Sequence, residues 1–221
     1  MAGRPSELMY VETPLLEQLK QLGWTVVQLD DSEKHDPQKS FRESFSEVVI
    51  VSRLKAALKR LNPWLNDVQI DDLCVQVQNY PHSLRQILEN NEELYDRITE
   101  GLSADNEETG EVNCPVRLID WTDVDAYDGP DETDNDFLAI SQYKVRIPGK
   151  EEYIIPDIVL FVNGLPLVVI ECKAPDITEP MAEGIDQLMR YQNRRGAEEP
   201  EGVPELFYFN QIVMSTCFHD C

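Results

Sequence analysis

Residues 154–174, IIPDIVLFVNGLPLVVIECKA, read as two apolar strands joined by a turn at Asn163–Gly164, with Leu165 and Pro166 completing the bend. Asn-Gly between β-branched runs is a strong hairpin signal, because both residues tolerate positive φ. Three charged residues interrupt the apolar text: Asp157 early in the first strand, then Glu171 and Lys173 late in the second. Burying a charge is costly unless it is paired or ligates a metal. A core-like hairpin that carries three of them therefore asks for a chemical reason.

Register supplies one. Residues two apart share a face of a strand, so Glu171 and Lys173 point the same way. A four-residue loop over 163–166 would set Asp157 across from Glu171, whereas a plain two-residue loop would pair Asp157 with Ile170 and turn it away. The convergence thus requires the longer loop or a bulge. Two carboxylates and one ammonium would then meet at one point. Such oxygen ligands suit a magnesium-type ion that keeps waters and takes a phosphate oxygen. Lys173 could orient or deprotonate an attacking water, or offset charge developing on phosphorus. A simpler account is an ion pair at the rim of a sheet, which is common and worth little.

Downstream, residues 178–195 (TEPMAEGIDQLMRYQNRR) predict a helix capped by Thr178, with Pro180 in its first turn. Gln187 and Tyr191 lie four apart and share a face, as do Arg190 and Arg194. Upstream, 12–22 (ETPLLEQLKQL) has leucines at helical spacing, with Thr13 and Pro14 as cap and first position. Glu12, at the mouth of this helix, is either a further acidic site residue or a solvated acid that complements the helix dipole. Residues 24–29 read as a strand.

Between these ends, 46–61 is an amphipathic helix whose basic face carries Arg53, Lys55, Lys59 and Arg60. A solvated face is its simplest reading; contact with a nucleic-acid backbone is the alternative. Helices over 67–77 and 83–99 follow, with His82 in a loop or cap. Residues 101–110 read as a polar loop, 112–119 as a strand, 120–136 as an acidic excursion, 137–147 as a strand, and 203–215 as the last strand. The expected fold is α/β: a mixed sheet of about five strands flanked by helices, with a helical insertion over about 41–100 and a core of 1–30 and 112–216, all in one domain.

The net charge of −23 argues against simple DNA binding, since phosphate contacts need Lys and Arg. Residues 105–136 alone hold twelve acidic residues against Arg117, whereas Lys173, Arg190, Arg194 and Arg195 cluster around and after the hairpin. Either other parts of a larger protein hold DNA, or the chain does not bind it. The five cysteines form no CxxC pair, so zinc spacing is absent and a disulfide framework is not expected. The chain has no GxxxxGK[ST] or GxGxxG loop, no signal-like start and no apolar run of bilayer length. A reduced, cytoplasmic protein that does not itself bind ATP is the expectation.

Pro156–Asp157, thirteen intervening residues, then Glu171–Cys172–Lys173 resembles the PD-(D/E)xK nuclease signature, and Gln187-x3-Tyr191 matches a further motif of one branch of that superfamily. Together with the opening helix ending in LGW, the Ala174–Pro175 step, DQLMRYQ and ELFYFNQ, the order resembles the nuclease domain of the restriction (motor) subunit of type I restriction–modification enzymes. The likeness is good in the first helix and most of the C-terminal half, and poor in the helical and acidic region between. It implies cleavage of double-stranded DNA with Mg2+ or Mn2+ held by Asp157, Glu171 and the carbonyl of Cys172. Lys173 would assist the water, and Gln187 and Tyr191, supported by Arg190 and Arg194, would position the hairpin or contact DNA. It also implies helicase-type motor domains following in the same chain, which use ATP, and methylation and specificity subunits as partners; the chain reads as an excised domain. Two rivals stand beside it: an acidic, non-catalytic DNA mimic, and a repair or recombination nuclease of the same superfamily.

Overall fold

A computed structural model describes residues 7–80, 86–121 and 133–217. The helices are α1 (Thr13–Gln21), α2 (Val51–Leu61), α3 (Asp67–Val77), α4 (Ile87–Glu100), α5 (Pro180–Tyr191) and α6 (Pro204–Tyr208). The strands are β1 (Thr25–Val27), β2 (Leu102–Asn106), β3 (Glu111–Val116), β4 (Phe137–Ser141), β5 (Val145–Arg146), β6 (Tyr153–Ile154), β7 (Ile158–Val162), β8 (Leu165–Lys173) and β9 (Ile212–Cys217). A five-stranded sheet runs β1-β4-β7-β8-β9, with small β2-β3 and β5-β6 hairpins outside it. The β1-β4 and β8-β9 pairs are parallel and the two central pairs antiparallel, so the sheet is mixed, as expected.

Both faces are covered, which explains why β7 and β8 read as near-continuous apolar runs. Leu16 and Leu19 of α1 pack on Ala139, Ile158, Leu160, Ile170 and Cys172. On the opposite face Leu138, Ile140, Val159, Phe161 and Val169 share one apolar cluster with Leu54 and Leu58 of α2, Leu73 of α3, Leu94 of α4 and Leu188 of α5. The helical segment is therefore packed into the sheet's own core.

Several boundaries depart from expectation. The helix expected over 46–61 begins only at Val51, because Val48, Val49 and Ile50 are buried in the core and Ile50 N–H donates to Gly164 O (2.9 Å) at the hairpin tip. Its basic face is solvated at Lys55, Lys59 and Arg60, as expected, and partly buried at Arg53. Arg53 pairs with Asp136 (2.7 Å), Lys55 with Asp71 (2.5 Å) and Lys59 with Asp67 (2.9 Å), while Arg60 donates to Asp134 O (2.6 Å). The polar loop expected over 101–110 is mostly β2 and its turn; half-buried Leu102 and Ala104 keep a two-residue period that the surrounding acids mask. The strand expected over 137–147 breaks after Ser141, where Gln142 adopts φ 53°. The last strand is preceded by α6, whose Leu206, Phe207 and Tyr208 are all buried, so periodicity could not separate helix from strand there. His82, the first residues of the helix expected over 83–99 and most of the acidic excursion lie outside the described residues.

Candidate active site

Val162 pairs with Leu165, so the hairpin closes on two residues, Asn163 (φ 53°) and Gly164 (φ 82°). Leu165 and Pro166 belong to β8, which corrects the four-residue loop. The bulge is what occurs instead. Phe161 pairs with Pro166 but Leu160 with Val168, leaving Leu167 as the surplus residue, and the ladder resumes as Ile158↔Ile170. That shift brings Asp157 beside Glu171.

β7 begins only at Ile158, while β8 runs on through Lys173, paired there only with β9. Asp157 fills the place of the missing strand: its Oδ2 accepts from Cys172 N–H at 2.7 Å. A strand residue's N–H and C=O point to the same edge, so the Cys172 carbonyl also faces the Asp157 side. Lys173 Nζ donates to Glu171 Oε1 (2.8 Å) and Gln187 Oε1 (3.0 Å). Gln187 Nε2 donates to the Tyr191 hydroxyl (2.6 Å), which donates to Ile155 O (3.2 Å). This chain of bonds ties α5 to the lysine at one end and to the approach to Asp157 at the other. α5 sits close because residue 184 is Gly: a Cβ there would come within 2.0 Å of Ser215 Oγ. The expected cap does not form; α5 starts after a left-handed Glu179, with no side-chain cap.

Arg190 and Arg194 do not join the cluster. Arg190 lies over the Tyr191 ring (5.1 Å), and Arg194 is exposed.

Glu12 does join it, and it is not a solvated first-turn acid. The helix starts earlier than expected and makes a π-turn over Leu8–Glu12, in which Thr13 N–H bonds to Leu8 O. Pro14 has no N–H and its ring clashes with the carbonyl four residues back, which favours a widened turn there. Glu12 is buried inside that turn, and Thr13 caps nothing. Two contributors went unseen in the sequence. Gln142 Nε2 donates to Glu12 Oε2 (3.1 Å) and Asp157 Oδ1 (3.3 Å). Glu7 lies close enough that its carboxyl feels burial first and Asp157 next, both raising its pKa. The signal for Gln142 was the polar Ser141–Gln142 pair at the end of an apolar run; Glu7 carried none.

Asp157, Glu171, Lys173 and Glu12 are 6%, 1%, 4% and 2% exposed, so four ionisable groups share a nearly dry site. Burial, then the neighbouring Asp157, pushes Glu171 up to about 8 and Glu12 up to about 7. Asp157 is also raised, by burial, against the Cys172 N–H and Lys173, which oppose the shift. For Lys173 burial would strip the proton, but Glu171, and behind it Glu7 and Asp157, outweigh this and the ammonium is kept. Glu171 Oε2 and Glu12 Oε1 are buried without a hydrogen-bond partner. Surplus negative charge and unpartnered oxygens are what a divalent cation would relieve, so the residues fit one. Among the described residues no three His, Cys, Asp or Glu side chains converge as a ready-made metal cage. Any ion would therefore rest on Asp157, Glu171, the Cys172 carbonyl and water.

A pH dependence of stability follows. Glu171 and Glu12 keep protons, up to about 8 and 7, that the unfolded chain releases near 4.5. Between those limits the folded chain binds more protons than the unfolded one, so stability falls as pH rises. Thermal melts without divalent ions should show Tm dropping from about pH 5 to about pH 8. Replacing both glutamates by Gln should flatten that slope.

The sequence profile of the family described as type I restriction enzyme R protein N terminus matches residues 4–220. The type I restriction enzyme HindI endonuclease subunit of Haemophilus influenzae is 30% identical over 207 residues, covering 92% of this chain and 18% of that protein. Two proteins of Methanocaldococcus jannaschii, named provisionally as endonuclease subunits of type I restriction enzymes MjaIXP and MjaVIIIP, are 23% and 27% identical over 222 and 220 residues. They cover 96% and 97% of this chain, which spans only 19% and 18% of their length.

Proposed function

Because the chain belongs to the type I restriction enzyme R protein N-terminal family, we propose that its 221 residues form the endonuclease domain of a restriction subunit. In this reading they hydrolyse phosphodiesters of double-stranded DNA with a bound Mg2+ or Mn2+. The observation that carries the reading is the bulge-set register, which brings Asp157, Glu171 and Lys173 together where β8 outruns β7.

Asp157, Glu171 and the Cys172 carbonyl hold the ion. When bound, it acts as a Lewis acid on the phosphate and lowers the pKa of water. Lys173, kept as an ammonium, orients the attacking water and offsets charge developing on the phosphoryl oxygens. Gln187 and Tyr191 act through Lys173: their bonds hold the ammonium beside Glu171 and tie α5 to the hairpin. In this reading ATP use and translocation fall to further domains of the full-length subunit, and methylation and specificity subunits complete the complex. The charge of −23 disfavours DNA binding by this chain alone, so those other parts would hold the DNA. An acidic DNA mimic would share that charge but has no use for the convergent triad.

A Mn2+ titration of the full-length subunit tests the metal reading. One saturable ion that disappears with Asp157→Asn is expected; binding indifferent to that change would overturn it. For the helix pair, Tyr191→Phe breaks the bond to Ile155 O and Gln187→Ala breaks the one to Lys173. Each should slow cleavage by about 10-fold or more with Tm changed by no more than a few degrees. Parallel loss of cleavage and stability would mark the pair as structural only.

A further inference from the structure

Gln142 stands at the end of β4 in a left-handed conformation (φ 53°) rare for a residue with a side chain. Its backbone is held by the residues just ahead of β7: Gln142 N–H donates to Asp157 O (2.8 Å), and Tyr143 N–H to Pro156 O (3.1 Å). The side-chain amide has one NH2 group with two donors, and that nitrogen lies 3.1 Å from Glu12 Oε2 and 3.3 Å from Asp157 Oδ1. A divalent ion bridging the same two oxygens from that side would sit at about 2.1 Å from each, in the space the amide fills.

We infer that the Gln142 carboxamide takes the place of a second cation between Glu12 and Asp157, so that the site loads a single divalent ion, on the Asp157–Glu171 side. The inference rests on the metal reading proposed above. One feature supports it beyond the contacts: the amide takes Glu12 Oε2 while Glu12 Oε1, buried, keeps no hydrogen-bond partner. Without the amide, Glu12 Oε1 and Oε2 and Asp157 Oδ1 would form a second donor set. Gln142 is thus a positioning residue that fixes how many ions the site accepts.

The test is Mn2+ stoichiometry by electron paramagnetic resonance on the full-length subunit, with Asp157→Asn as the blank for ions bound elsewhere. Wild type should hold one Asp157-dependent ion. Gln142→Gly, which suits the positive φ, should hold two, and so should Gln142→Glu, which keeps the side-chain length but donates nothing. Adding Glu12→Gln to either should return the count to one. Two ions in wild type, or one in both Gln142 variants, would overturn this inference while leaving the metal reading intact. No Asp157-dependent ion in any form would remove both.

Discussion

Glu171→Ala in the full-length subunit should abolish DNA cleavage by the assembled complex while ATP hydrolysis and the Tm of the nuclease domain stay close to wild type. Under the proposed function Glu171 is one of two carboxylates offered to the ion, and it is the acceptor that holds Lys173 at 2.8 Å, so its loss would remove a ligand and a partner of the ammonium together. Transition-state charge stabilisation of this type is worth several kcal/mol, which sets the expected loss at about 1,000-fold or more. Stability should be spared for a specific reason. Burial penalises the ionised carboxyl and raises Glu171 to about 8, so removing it relieves that cost and offsets the loss of Lys173's partner, while Gln187 Oε1 still accepts from the ammonium. Lys173→Ala should be as inactive but less stable, since it leaves Glu171 and Asp157 facing one another without their cation. Linearised plasmid on a gel, with phosphate release measured alongside, separates these outcomes; normal cutting by Glu171→Ala would remove the assignment.

Asn163→Ala should be the most damaging single change to stability in the hairpin, costing about 3–5 kcal/mol. Asn163 is fully buried at the turn. Its Nδ2 donates to Leu118 O (2.9 Å) and Asn135 Oδ1 (2.8 Å), and its Oδ1 accepts from Asp136 N–H (2.8 Å) and Arg60 Nη2 (3.1 Å). Alanine would take these partners from Leu118 O and Asp136 N–H, while Asn135 Oδ1 keeps Asp120 N–H and Arg60 keeps Asp134 O, and it would also have to hold φ 53°. Asn163→Gly loses the same bonds but not the backbone preference, so it should recover about 1 kcal/mol of the loss. Chemical unfolding of the pair of variants separates the two contributions; equal values would mean that the left-handed turn costs nothing here.

Much of the fold was legible because its strongest signals are local. Asn163–Gly164 announces the turn, and the runs of β7 and β8 announce a sheet buried on both faces. α3 is found at its expected ends because Asn66 makes a capping box with Gln69. The misses have physical causes of another kind. Bulge and four-residue loop give the same alignment of Asp157 with Glu171, so the requirement was readable but the device was not. Glu12 and Gln142 enter the site through backbone conformations set by long-range packing: a π-turn ahead of Pro14, and a left-handed residue braced by Pro156 and Asp157. The solvated reading of the basic face of α2 holds at Lys55 and Lys59; the pairing of Arg53 with Asp136 was hidden because the two lie far apart in sequence.

Leu167, the uncounted residue between two matched rungs, turns the hairpin into a measuring device. Its letters can drift among apolar side chains, since either face only needs filling. Their number cannot: dropping or adding one residue between Phe161 and Glu171 would leave a sound hairpin whose acids look away from each other. A natural variant with such an indel should be sought among proteins that have kept the scaffold and given up the scissors.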